Sequence, residues 1–223
     1  MSIYAKAYIG GVAALGLVLL AASPLISGPK PDWTRFAAYL ALCVLASALK
    51  VRLPGIRGTC SLNFVVYLLA VAQLTLAETV YIVCAGTLVQ SVWRTARRPS
   101  LVQVVFNVAA MVVSILPPFV LHDRWPSLPA MALAAGLFYT IDTALISTVI
   151  ALTQERPLSQ VWNACYLWTL PYYLVGAVVA ASADASRDQV GWAASLLILP
   201  LMYMVYRHYR LIVANATSTE QAR

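Results

Sequence analysis

Asp142 is the residue of this chain most able to do chemistry, because it lies near the middle of a long apolar run, within Phe138–Thr143. A carboxylate at membrane depth costs several kcal/mol, so it should face the interior of a helix bundle or water. Burial alone favours its neutral form, which would donate a hydrogen bond. Two interpretations stay open: Asp142 anchors a ligand or a proton, or it is a structural acid bonded to a neighbouring helix. Tyr139, three residues earlier, shares roughly its helix face.

Several amide side chains also lie within apolar runs. Gln103 and Asn107 are spaced i and i+4, and therefore share one helix face. Asn63 lies in an earlier run. Such amides commonly hydrogen-bond between membrane helices, each contributing about 0.6 kcal/mol. Helix association is thus one interpretation, and a polar ligand pocket shared with Asp142 is the other.

An aromatic-rich segment, residues 162–173, contains Pro171. A proline inside a helix removes one backbone hydrogen bond and kinks the helix. Tyr172 and Tyr173 lie next to the expected kink, which makes them candidates to line a pocket. Trp162 fits the aromatic belt that membrane proteins place at the bilayer surface.

The sequence lacks several residue patterns that are typical of enzymes. His122 and His208 lie outside the apolar runs, and the four cysteines are scattered singly. There is no metal-ligand spacing, no paired membrane-depth carboxylate and no Gly-rich phosphate loop. We therefore expect a protein that is not an enzyme, with no catalytic residue, no metal and no cofactor.

The composition requires membrane-spanning helices to position these residues. Of the 223 residues, 61% are hydrophobic and 10% charged, against about 45–50% and about 25% in soluble domains. A spanning helix needs about 20 mostly apolar residues. Such runs are predicted at 5–27, 33–49, 61–77, 79–93, 101–121, 129–152, 160–183 and 190–207.

Two of these runs leave the topology open. The third and fourth meet at Ala77–Thr79, where neither Gly nor Pro turns the chain. They form two short spans or one pair that dips partway and returns.

The first run is interpreted as an uncleaved anchor, because it is longer than the usual core of a signal peptide and Pro24 follows the permissible cleavage pattern Ala21–Ser23.

The basic residues orient the predicted spans. With Met1 in the cytoplasm and eight crossings, eleven Lys and Arg residues fall inside and four outside, as the positive-inside rule requires. The prediction is an all-α polytopic bundle of about eight spans over 1–207, with both termini cytoplasmic and a short helical tail at 208–223. The expected location is a membrane, which the chain crosses several times. Membrane lipid is the expected partner, and nucleic acid is excluded because orientation accounts for the basic residues.

Several segments resemble the multi-span sensor region that precedes the output domain of acidobacterial-type HD-GYP and GGDEF signalling proteins. They are the stretches 53–64, 88–93, 102–107, 142–153 and 165–176. The resemblance covers roughly 50–210, and 165–176 is its most specific part. In such proteins the last membrane helix drives a cytoplasmic output domain. No such domain follows here before Arg223, so the resemblance implies a sensory membrane module without phosphodiesterase activity.

Three functions are compatible with these patterns. The leading hypothesis is a sensory module that binds a small amphipathic ligand and signals through its last helix to a cytoplasmic partner. The second is the substrate-binding component of a small-molecule transporter, which would need a separate coupling protein. The third is a structural subunit of a membrane complex.

Overall fold

The computed structural model describes residues 2–26, 32–52, 59–61, 63–93, 95, 98–165, 170–200, 202–204 and 207. These residues form a helical bundle with one short β-ribbon. The helices are α1 (Ile3–Ile26), α2 (Trp33–Ala48), α3 (Asn63–Gln73), α4 (Leu76–Val92), α5 (Leu101–Arg124), α6 (Leu128–Gln154), α7 (Leu158–Cys165), α8 (Leu170–Ala185) and α9 (Arg187–Val190). The ribbon pairs β1 (Lys50–Arg52) with β2 (Thr59–Ser61), and a 3-10 segment follows at Trp192–Leu197.

Polar capping residues determine where several helices begin. Asp32, Thr75, Ser100 and Ser127 each accept a hydrogen bond from a backbone N–H in the first turn of α2, α4, α5 and α6 respectively. These bonds satisfy N–H groups that have no partner inside the helix. The helix starts at 33, 101 and 128 accordingly agree with the predicted runs to within a residue.

Among the residues that the structure describes, three helices, α1, α5 and α6, are long and apolar enough to cross a membrane. Shorter apolar helices fill most of the remaining runs: α2, α3, α4, Tyr173–Ala185 within α8, and Trp192–Met204. The prediction of a helical bundle is therefore confirmed, and the three long helices support its assignment to a membrane.

α3 forms the centre of the bundle. Every residue of this helix except Ala72 is buried, and it packs against α2, α4, α5 and α8. At 1.5 Å per residue its 11 residues extend about 17 Å, well short of the roughly 30 Å hydrocarbon core. The third predicted run, 61–77, is thus longer than the helix that it contains.

The turn between α3 and α4 lies earlier than the sequence suggests. α3 ends at Gln73 and α4 begins at Leu76, so Ala77–Thr79 belongs to α4 rather than to a turn. Thr75 and Glu78 form a capping box in which each side chain bonds the other residue's backbone N–H. This pair starts a new helix without Gly or Pro.

A short β-ribbon connects α2 and α3 within the helical bundle. It pairs Lys50 with Ser61 and Arg52 with Thr59. Residues 53–58, between the strands, lie outside the described part of the chain.

The seventh predicted run contains both α7 and α8, with residues 166–169 outside the described part of the chain. The predicted Pro171 kink depends on those residues, and the tail 208–223 also lies outside the description.

Hydrogen bonds between helices show that α2 runs antiparallel to α3, and α4 antiparallel to α5. At one end, Arg35 near the start of α2 donates to the backbone carbonyl of Gln73, where α3 finishes. At the other end, Asn63 at the start of α3 donates to Ser47, where α2 finishes. Asn107 early in α5 likewise donates to Ser91, late in α4.

Candidate ligand site between three helices

The carboxyl group of Asp142 is enclosed near the middle of α6. The residue is only 9% exposed. The Tyr173 hydroxyl of α8 donates a hydrogen bond to the carboxylate. The carboxylate atom Oδ1 is buried and has no hydrogen-bond partner among the described residues. A buried acceptor without a donor is costly, so this oxygen is the least satisfied feature of the site.

Tyr173 also holds together a cluster of aromatic rings, which we define as Phe64, Tyr67, Phe138, Tyr139 and Tyr173. Its ring stacks on Phe64 of α3 with centroids 4.6 Å apart. It meets Tyr139 edge-on at 5.2 Å and Phe138 at 5.8 Å, both on α6. Phe138 in turn contacts Tyr67 edge-on at 6.2 Å. Three helices that are distant in sequence thus contribute rings around the carboxylate.

The backbone of α8 approaches α3 closely beside this cluster. Gly176, one turn after Tyr173, lies against the Phe64 ring, and any Cβ at that position would overlap the ring. A glycine is therefore required for α8 to bring Tyr173 into contact with both α3 and α6.

Opposite charge does not compensate Asp142 within the part of the chain that the structure describes. An ion pair found there joins Arg35 with Asp32 at 3.6 Å, and the His122 side chain lies 3.5 Å from the Asp184 carboxylate. Each of these pairs lies at or beside a helix end, away from the middle of α6. The acid consequently depends on the Tyr173 hydroxyl for its polar contact.

Asn63 belongs to a second polar group next to the aromatic cluster. Its side-chain amide donates to the Ser47 hydroxyl of α2 and, at 3.4 Å, to the Tyr67 hydroxyl. The Tyr67 hydroxyl lies 3.3 Å from that of Thr87 on α4. Helix association, one of the two interpretations of this amide, describes these contacts well.

The remaining predicted site residues are not brought to Asp142. Asn107 is half-buried and donates to Ser91 at 3.4 Å, which ties α5 to α4. Gln103 is exposed in the first turn of α5, where its backbone N–H bonds the Ser100 cap. The side chain of Tyr172 lies outside the described residues. Of the predicted site residues, the structure therefore brings together Asp142, Tyr139 and Tyr173. Asn63 precedes Phe64, a member of the aromatic cluster, in the sequence.

A third polar group lies around Gln73, at the opposite end of α3 from Asn63. The Tyr39 hydroxyl donates to Gln73 Oε1 at 2.8 Å, and Gln73 Nε2 donates to Ser195 at 3.2 Å. Glu78, which lies where the third and fourth predicted runs meet, is only 6% exposed, and its Oε1 has no hydrogen-bond partner among the described residues. The Thr-x-x-Glu spacing of the capping box was the available sequence signal for Glu78.

Comparison with known proteins adds no assignment. No family model, no curated protein and no solved structure matches the chain. The arrangement of the side chains is therefore what indicates the chemistry of the site. The site offers one free carboxylate oxygen beside aromatic rings, and the described residues contain no cluster of three metal-ligating side chains. Such an arrangement can accept a hydrogen bond and contact an apolar or cationic group.

Proposed function

We propose that the chain is a sensory module of the bacterial inner membrane that binds a small amphipathic molecule between α3, α6 and α8. Occupancy of the site would be passed through the last helix to a cytoplasmic signalling partner. The observation that carries the proposal is the buried, unpartnered Oδ1 of Asp142 beside the aromatic cluster. A purely structural acid would be expected to have both oxygens bonded to neighbouring helices.

The segments that resemble those of signalling proteins contact one another in the structure, which supports the same proposal. Phe64 ends the first segment, Asp142 begins the fourth, and Tyr173 lies in the fifth, and these three surround the candidate site. Ser91 of the second segment bonds Asn107 of the third. Segments that are far apart in the chain thus contact one another.

The proposed topology has eight passes with both termini in the cytoplasm. α3 would be the exceptional pass, shorter than the bilayer but enclosed by other helices, which membrane proteins tolerate because no backbone group faces lipid. The eleven-to-four distribution of basic residues supports this orientation.

Native mass spectrometry in a mild detergent tests the proposed function. The wild-type protein should retain a small molecule, and Asp142→Ala should lose it while remaining folded. Asp123→Asn is the matched control, because that acid is exposed near the end of α5. Retention of the same molecule by Asp142→Ala, or loss of a protein subunit instead, would contradict a ligand site at Asp142.

The short central helix favours a second candidate, the substrate-binding component of a transporter. Transporters commonly place discontinuous helices at a membrane-depth substrate site, and α3 is both short and fully enclosed. Uptake by proteoliposomes containing this chain and a coupling protein would support transport. Ligand-dependent binding of a cytoplasmic partner without uptake would support sensing.

A further inference from the structure

We infer that the ligand of this site is an amphipathic organic amine that keeps at least one N–H on its charged nitrogen. The inference rests on the proposed function, because it names the chemical class that the site between α3, α6 and α8 would take. It follows from three features of the described residues: the oxygen of Asp142 that has no donor among them, the lack of a cationic partner for that acid among them, and the exposed apolar side chains along α8.

The free oxygen sets the first requirement, a hydrogen-bond donor. Among the described residues, Oδ1 of Asp142 has no donor, whereas the carboxylate already receives a hydrogen bond from the Tyr173 hydroxyl. A ligand N–H can therefore bond Oδ1 without displacing Tyr173. A donor that also carries positive charge is favoured over a neutral one, because charge-assisted hydrogen bonds are roughly twice as strong.

The second requirement is that the ligand carries a positive charge, which follows from the positions of the charged side chains. The contacts of basic with acidic side chains among the described residues lie elsewhere, at Arg35–Asp32 and His122–Asp184. A buried carboxylate that ionises needs a counter-charge, and the ligand can supply it. Tyr139 and Tyr173 supply aromatic rings beside the carboxyl group, and aromatic rings attract an ammonium group through their quadrupoles.

The exposure of α8 sets the third requirement, an apolar tail. Tyr173 is only half-buried, while Leu174 and Val175, which follow it, are 47% and 63% exposed. The cluster therefore approaches the outer face of the bundle along α8. A ligand arriving there would leave its tail against exposed apolar side chains, where lipid would lie, and place its head near Asp142.

Three small probes with the same alkyl chain test the inference on the purified full-length chain in detergent. They are hexylamine, hexan-1-ol and hexyltrimethylammonium, and the measurement is the concentration dependence of the thermal unfolding midpoint. Hexylamine should raise the midpoint saturably, with at least about tenfold higher apparent affinity than either other probe, as the loss of one charged hydrogen bond implies. Of the three probes, only hexylamine carries both a positive charge and an N–H donor.

Two variants locate the effect. Asp142→Asn keeps the size of the side chain and should lower the affinity for hexylamine to that of hexan-1-ol. Asp123→Asn, the exposed control, should leave the ranking of the three probes unchanged. The wild-type ranking is informative even if Asp142→Asn fails to fold.

Other outcomes separate this inference from the proposed function. Equal binding of hexylamine and hexan-1-ol would overturn the amine, yet a small molecule retained in native mass spectrometry would still support a ligand site. Stronger binding of hexyltrimethylammonium would overturn the requirement for an N–H. No saturable shift with hexylamine, or an undiminished shift in Asp142→Asn, would overturn the inference outright.

Discussion

At the scale of single residues, Tyr67 links the helices at the centre of the bundle. Its hydroxyl contacts Asn63 on its own helix and Thr87 on α4, and the residue is 1% exposed. Tyr67→Phe should lower the free energy of unfolding by about 1 kcal/mol, since it removes one hydroxyl and leaves its buried partners less satisfied. Unfolding in mixed detergent and SDS measures the change.

Tyr81 provides the matched control for this substitution. It lies on α4 but is 43% exposed, so Tyr81→Phe should change the free energy of unfolding by less than about 0.5 kcal/mol. Equal effects of the two variants would show that the Tyr67 hydroxyl contributes nothing specific to helix association.

The sequence predicts which residues are unusual better than it predicts their partners. Asp142 is conspicuous because an acid in an apolar run is costly wherever it points. Its bond to Tyr173 joins positions 142 and 173, and no local periodicity reports such a pairing. Gln103 shows the converse: its i, i+4 relation to Asn107 is real, but it lies exposed in the first turn of α5. Spacing defines a helix face without revealing what that face contacts.

At the scale of elements, the start of α4 depends on the reciprocal bonds of its capping box. Thr75→Ala should cost about 1 kcal/mol of unfolding free energy. Glu78→Ala should cost a similar amount, because Glu78 Oε2 accepts from the Thr75 backbone N–H and hydroxyl at 2.9 and 2.8 Å. The double variant should cost less than the sum, since both changes remove the same interactions. Strict additivity would contradict the coupling.

Thr140 is a suitable control for the loss of a threonine hydroxyl. It is exposed on α6 and bonds the Gly136 carbonyl of its own helix at 2.8 Å. Thr140→Ala should leave the free energy of unfolding within about 0.5 kcal/mol of the wild-type value.

The packing of α1 on α5 depends on a small residue at the crossing. An ideal Cβ at Gly16 would lie 2.5 Å from the Ala109 Cα, whereas one at Gly11 would meet nothing within 4 Å. Gly16→Leu should therefore destabilise the bundle by about 1–3 kcal/mol through overpacking. Gly11→Leu should be neutral or slightly stabilising because leucine favours helices. The free energy of unfolding of the two variants provides the comparison, and a reversed order would be inconsistent with this crossing.

Helix positions are largely predictable from hydropathy, whereas the length of α3 is not. The runs 5–27, 33–49 and 129–152 correspond to α1, α2 and α6 within a few residues. α3 stops at Gln73 because Thr75 caps the next helix, although the apolar pattern continues. Lipid is as apolar as leucine, so an apolar run does not reveal whether it faces lipid or, like α3, the interior.

At the scale of the whole molecule, the two ends of α6 test the proposed orientation. Trp125, just before α6, is 63% exposed, and Gln154, its last residue, is also exposed. With the four native cysteines replaced by alanine, Trp125→Cys should react with a membrane-impermeant maleimide in spheroplasts with intact inner membranes. Gln154→Cys should react only after permeabilisation, because the positive-inside rule places Arg156 and its end of α6 in the cytoplasm. The reverse pattern would invert the bundle, and labelling of both positions from outside would show that α6 does not cross.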